Sequence, residues 1–267
     1  MDYIEYSERD GIATITLNRP NSYNAFSEAM LLELKQAFKR AETSFDVRCI
    51  LVTGAGKGFC SGQDLKEVDD QVHHGEMIRM RYAPLIKQLR ACEKPIIAAV
   101  NGVAAGAGFS LALACDFRII HEKASFVNAF IHVGLIPDSA NLLFLTRMIG
   151  EAKTLELAVL GEKITADEAR HLGLATKVIS ADRWEQESIH FARQVADLPT
   201  KAIALIKRSL KLVQPNLNAY LEQEAQMQRL AGLTEDHLEG IKAFNEKKTS
   251  FVSREIAGDF HYLVVPI

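Results

Sequence analysis

The stretch "KPIIAAVNGVAAGAGFSLALACDFRII", Lys94 to Ile120, decides the fold. An aliphatic run follows the proline and breaks at Asn101-Gly102; small residues and glycines come next, and an apolar run resumes near Phe117. The first run, ended by glycine, predicts a buried strand. The small residues after Gly102 predict a helix packed tightly against a neighbour, and Phe117 begins another strand. Upstream, "CILVTGAG", Cys49 to Gly56, shows the same strand-to-glycine pattern after the helical period of "SEAMLLELKQAFKRAE", Ser27 to Glu42. "GIATITLNRP", Gly11 to Pro20, alternates apolar and polar residues as a half-buried strand does. The early chain therefore reads strand, helix, strand, helix, strand. That order implies an α/β fold with right-handed crossovers, a largely parallel sheet, and strand-end loops available for a site.

Further on, "EAKTLELAVLG" (151–161), "TADEARHLG" (165–173), "RWEQESIHFARQVADLP" (183–199), "TKAIALIKRSLKLV" (200–213) and "NAYLEQEAQMQRLAGL" (218–233) carry a helical period. Thr165 and Thr200 are expected as N-caps. This helical C-terminal third is expected either to dock on the core or to reach another subunit. The final "EIAGDFHYLVVPI", Glu255 to Ile267, has no clear period and reads as packing against a neighbour or as disorder.

Composition narrows the function classes. The chain has 267 residues, 48% hydrophobic and 24% charged, enough to bury a substantial core as one large domain or a main domain with an appendage. A formal net charge of −3 gives no general attraction to nucleic acid or anionic membranes. "MDYIEYSERDG" at the start has no signal-type apolar core, and no apolar run reaches membrane-spanning length, so a cytoplasmic protein is expected. Cys49, Cys60, Cys92 and Cys115 lack CxxC spacing and are expected as free buried thiols. The eight histidines form no HExxH, and no metal is expected. His73-His74 lies in a polar stretch, expected as a solvated loop or helix end.

Two glycine-rich turns, "TGAGKGFCSGQDL" (53–65) and "NGVAAGAGFSLALACD" (101–116), let a ligand approach main-chain N–H groups. The first fails the dinucleotide fingerprint because Phe59 stands at its last glycine position. "GFSLA" around Ser110 lacks the second glycine of a nucleophile elbow. Asp64 and Asp116 border these turns and read first as caps to backbone. His132 reads more readily as a satisfied core or surface residue than as a base. In "HVGLIPDSANLLFL", His132 to Leu145, Asp138 follows a proline in an apolar run. It reads equally as the cap of the next helix or as a tuned acid.

The ordered motifs "LNRPNSYNAFSEAM", "GKGFCSGQDL", "KPIIAAVNGVAAGAGFSLALACDFRI", "ASFVNAFIHVGLIPD" and "GLATKVI" resemble the enoyl-CoA hydratase/isomerase, or crotonase, superfamily over nearly the whole chain. The resemblance implies a crotonase-like ββα spiral core, here residues 1–197, carrying an acyl-CoA site. It also implies a helical C-terminal trimerisation region and tail, residues 198–267. Partners would be an acyl-CoA thioester and a homotrimer or a hexamer of paired trimers, with no nucleic acid and no membrane. No cofactor is implied beyond the coenzyme A of the substrate. Two backbone N–H groups, of Gln63 and Ala107, would stabilise an enolate-like thioester oxygen. Ser22, Tyr23, Asn24, Ala25, Ser61, Asp64 and Leu65 would line the CoA and substrate path, with Phe130 beside the acyl group. Phe244 and Lys248 in "IKAFNEKK" would reach the adenine or phosphates from a neighbouring subunit.

Family hydratases carry two glutamates at positions held here by Ser110 and Phe130, whereas Asp138 stands where the superfamily's double-bond isomerases carry a catalytic aspartate. The resemblance therefore implies an isomerase with Asp138 as base and then acid, and an apolar wall of Phe130, Ile131, Leu135 and Ile136 raising its pKa. The pattern is similar to the ring-1,2-epoxyphenylacetyl-CoA isomerase branch, which opens a ring epoxide or shifts a double bond. It departs from that branch where Ala140-Asn141 replaces Gly-Gly. An enoyl-CoA hydratase and a non-catalytic acyl-CoA-binding oligomer are the alternatives.

Overall fold

Each strand-to-glycine segment of the early chain continues into a second short strand rather than into a helix. The computed structural model describes residues 1–68, 73–198, 200–212, 216–233 and 235–246. A hairpin of β1 (Ile4–Arg9) and β2 (Ile12–Leu17) precedes α1 (Glu28–Thr43), β3 (Cys49–Gly54) and β4 (Gly58–Cys60). Helix α2 (His74–Met77) runs through a π-helical turn, Ile78–Tyr82, into α3 (Ala83–Ala91). Then come β5 (Ile96–Val100), β6 (Val103–Ala105), α4 (Ala107–Ala114), β7 (Phe117–His121) and β8 (Ser125–Val127). Helices α5 (Asn141–Ile149) and α6 (Glu151–Leu160) lead to β9 (Lys163–Thr165), α7 (Ala166–His171) and β10 (Lys177–Ile179). The helices α8 (Trp184–Ala196), α9 (Thr200–Leu212), α10 (Leu217–Ala231) and α11 (Glu235–Glu246) follow.

Two sheets result, ordered β1-β2-β3-β5-β7-β10 and β4-β6-β8-β9. The pairs β3/β4, β5/β6 and β7/β8 each give their first strand to the large sheet and their second to the small one. This is the ββα spiral that the resemblance implies. Pairing is parallel except for β1/β2 and β8/β9. The simpler expectation of one sheet with helix crossovers missed the small sheet because its three-residue strands are too short to show a period.

Both faces of the large sheet are covered. Ile50, Val52, Ala98 and Val100 face the main core, and Cys49, Leu51, Ile97 and Ala99 face Ala192, Val195 and Ala196 of α8. That explains the unbroken apolar runs of β3 and β5. All eight residues of α4 are buried, so it has no polar face, and its small side chains let β4, β6, α3 and α5 approach it. Phe109 of α4 stacks on Phe126 with centroids 4.5 Å apart. The four cysteines are free and buried, as expected. Thr165 caps α7 in a capping box with Glu168. Thr200 is instead the first residue of α9, its hydroxyl accepting from Arg48 Nε at 3.3 Å.

The C-terminal helices dock on the core of their own chain. Lys207 of α9 pairs with Asp116 at 2.5 Å, and α10 packs against α2. His237 of α11 lies 2.6 Å, through Nδ1, from the Val133 carbonyl. No helix among the described residues is long and apolar enough to cross a membrane.

Candidate active site

A cavity of about 640 Å³ lies where the two glycine-rich turns meet the segment Ala129 to Asp138 and helices α10 and α11. Ser22, Tyr23, Ala25, Ser61, Gln63, Asp64, Leu65, Ala107, Phe130, Asp138 and Phe244 all line it, so one space gathers residues far apart in sequence.

Two of its amides are positioned by backbone geometry. Phe26 N–H donates to Gly62 O at 2.7 Å and Asp64 N–H to Phe26 O at 2.9 Å, a parallel bridge that directs the Gln63 N–H to the opposite side of the segment. Gly62 at φ +94° could not carry a side chain, since a Cβ would lie 2.9 Å from Ala105 O and 3.2 Å from Ala107 N. That close approach brings the two turns together. Gly106 at φ +51° and ψ −126° starts α4, leaving the Ala107 N–H in the first turn, where no intrahelical acceptor exists. Neither amide has a protein acceptor among the described residues. Two such donors, one of them at a helix N-terminus, can stabilise an oxygen that gains negative charge. The Gln63 side chain is tied down by the buried Tyr82 hydroxyl, which donates to its Oε1 at 2.5 Å.

Asp138 is 5% exposed. Its Oδ1 accepts from Ser139 Oγ and its Oδ2 from Gln228 Nε2, each at 2.9 Å. Burial pushes its carboxyl up to about 6, opposed by these two hydrogen bonds. Helix α5 begins at Asn141, and the Asp138 carboxylate takes no helix N–H; only its main-chain carbonyl accepts from Asn141 N. The side-chain cap reading therefore fails. Phe130 and Leu135 stand in the cavity wall as expected, but Ile131 turns to the surface at 43% exposure and Ile136 is not part of the lining.

One expected residue falls elsewhere, and several others make the structural contacts first read for them. Asn24 is fully buried outside the lining, because its side chain braces the loop by accepting from Arg19 N–H and donating to Ala55 O and Gly58 O. Asp64 pairs with Arg19 at 2.8 Å and caps Lys66 N–H, while Asp116 accepts from Ile96 N–H. From α4, Ser110 Oγ bonds the main-chain carbonyls of Gly106 and Asp138 rather than a histidine. His132 contacts Gly161 O, not Asp138. Phe244 lines the cavity of its own chain, where α11 folds back over the 3-10 turn Ala129–Val133. Lys248 and the segment 255–267 lie outside the described residues.

Sequence reasoning missed a polar stripe on α10, Glu224 and Gln228, whose i,i+4 spacing on a core-facing helix was the available signal. It also misplaced His74, which is 4% exposed and meets His237, Nε2 to Nε2, at 2.8 Å. The Val133 carbonyl requires a proton on His237 Nδ1, so His74 Nε2–H is the donor between the rings. Burial holds His74 down to about 4 and lowers His237 as well, against the Val133 carbonyl. Among the described residues no cluster of three or more His, Cys, Asp or Glu could hold a metal ion.

A family model described as enoyl-CoA hydratase/isomerase matches residues 7–254. The chain is 39% identical to 1,2-epoxyphenylacetyl-CoA isomerase of Escherichia coli (strain K12), covering 93% of this chain and 97% of that protein. It is 34% identical to 2,3-dehydroadipyl-CoA hydratase of the same organism, covering 93% and 98%. Among solved structures, an enoyl-CoA hydratase from Mycobacterium avium subsp. paratuberculosis K-10 superposes with a TM-score of 0.86 at 30% identity, covering 94% and 98%. Fold, turns and sequence agree along most of the chain, which belongs to the enoyl-CoA hydratase/isomerase family.

Proposed function

We propose that the protein is an acyl-CoA isomerase in which Asp138 moves a proton between two carbons of the acyl group while the thioester oxygen rests on the Gln63 and Ala107 N–H groups. The observation that carries this reading is the cavity's acid inventory. Among the described residues two carboxylates line it: Asp64 is bound to Arg19, and Asp138 has no cationic partner. Ser110 and Phe130, at the positions where the resemblance implies hydratase glutamates, offer no carboxylate to orient water.

The steps follow from charge. Removing a proton next to the thioester builds negative charge on its oxygen, and each preorganised N–H lowers the barrier by about 3 kcal/mol. Asp138, ionised above about pH 6, takes the proton and then returns it to a different carbon. Met77, Phe130 and Leu135 make the surroundings apolar, favouring proton return over water addition. Ser22, Tyr23, Ala25, Ser61 and Leu65 would carry the CoA portion, and coenzyme A enters only as part of the substrate. The name of the Escherichia coli relative supports a ring epoxide as one substrate class. Exposed apolar residues on α9 (Leu205, Ile206, Leu210) and α6 (Leu155, Val159, Leu160) support assembly as a homotrimer or a pair of trimers.

Separating the products formed from a 3-enoyl-CoA and a 2-enoyl-CoA tests the reading. Double-bond migration should dominate. Accumulation of 3-hydroxyacyl-CoA as the main product would make the protein a hydratase, and binding without turnover would make it a CoA-thioester carrier.

A further inference from the structure

Directly after Asp138, Ser139 and Ala140 occupy the left-handed region in succession, at φ +56° and +64°. L-residues avoid that region, and alanine has no polar side chain to compensate. Both residues are buried, at 1% and 0% exposure, so water cannot satisfy their N–H groups. The Glu224 carboxyl, 84 residues away on α10, fills this role. It accepts the Ala140 N–H at 2.8 and 3.1 Å through its two oxygens, and the neighbouring Ser139 N–H also favours its charged form. Successive N–H groups in such a turn form a concave anion seat, and here a side chain of the protein occupies it. One helical turn further along α10, Gln228 holds Asp138 Oδ2 and the Ile136 N–H. The helix thus grips the loop before, at and after Asp138.

We propose that Glu224 is a positioning residue: it clamps the strained Ser139-Ala140 turn and so aims Asp138 into the cavity, making α10 a working part of the site. The inference rests on the acid/base role proposed for Asp138. Docking alone is a poor reason for this residue, since a buried carboxyl is costly and a leucine would pack α10 without that cost. Glu224 does not line the cavity, so it acts through the turn rather than on substrate. Burial, and next the charge on Asp138, hold the Glu224 carboxyl well above the usual range, against the pull of the two amides. The clamp also accounts for how Ala140 adopts a conformation natural to glycine.

The test combines amide exchange with kinetics on the full chain. In wild type the Ser139 and Ala140 amides should be protected. In Glu224→Ala they should exchange at least about tenfold faster, the scale expected when a buried N–H loses its acceptor, while strand amides of β3 and β5 stay unchanged. Glu224→Gln, which keeps the shape and one acceptor oxygen, should be intermediate. In isomerisation assays Glu224→Ala should lose kcat about tenfold with KM nearly constant, and adding Ala140→Gly, which removes the left-handed strain, should restore most of that loss. Equal exchange in wild type and both variants, or no recovery in the double variant, overturns the clamp. Failure of the two ideas is distinguishable. Protected amides without Asp138-dependent turnover would retain the clamp and refute the catalytic reading. Unresponsive amides with turnover that Asp138→Asn abolishes would do the reverse.

Discussion

Gln228 reaches Asp138 from 90 residues further along the chain, its Nε2 donating to Oδ2 at 2.9 Å while its Oε1 accepts the Ile136 N–H at 3.2 Å. This donor favours the ionised carboxylate, against the burial that disfavours it. Replacing it by Gln228→Met removes the favourable contact, so the Asp138 carboxyl should rise further. The acid limb of kcat/KM should move to higher pH by about one unit, and activity at pH 7 should fall about twofold. A pH–rate profile of wild type and variant measures both; coincident acid limbs would remove Gln228 from the account.

Asp138 should cost the fold stability at neutral pH. Its folded value of about 6 lies above the ordinary 3.8, so the unfolded chain releases this proton at lower pH than the folded one. The penalty is absent below about pH 4, grows between pH 4 and 6 and is complete above, reaching on the order of 3 kcal/mol. Asp138→Asn should therefore raise the unfolding midpoint in urea at pH 8 and leave it nearly unchanged at acid pH. A variant less stable than wild type at pH 8 would mean that the carboxylate is well solvated or paired.

Ala107 offers a clean deletion of one backbone donor. It is the first residue of α4, where proline fits because that N–H has no helical acceptor. Ala107→Pro should retain the fold, as judged by circular dichroism and thermal unfolding, yet lose kcat by about 10² to 10³. Turnover close to wild type would show that the thioester oxygen does not rest there.

The parts of the structure readable from sequence were those with a repeated physical cause. β3 and β5 are covered on both faces, so their residues are uniformly apolar, and α1 buries Met30, Leu31, Leu34, Phe38 and Ala41 at helical spacing. Gln63 and Ala107 entered only through motif resemblance, because a backbone N–H leaves no trace in side-chain chemistry. Glu224, Gln228 and His237 were missed for a different reason: they reach the site from the C-terminal helices across long sequence separations, and within α10 and α11 they look like ordinary surface residues. Asn24 was misassigned because a side chain that braces a loop and one that binds a ligand have the same polar identity, and only the carbonyls around it separate the two roles. The small sheet escaped because three residues hold no period.

The most direct test of the central claim is deuterium uptake. Wild type and Asp138→Asn would each be incubated with a 3-enoyl-CoA in D2O, following solvent deuterium in substrate and product by mass spectrometry and NMR. The account predicts exchange and double-bond migration in wild type above about pH 6, both abolished in the variant. Equal exchange and migration in the two proteins would contradict it and leave Asp138 as a buried structural carboxylate.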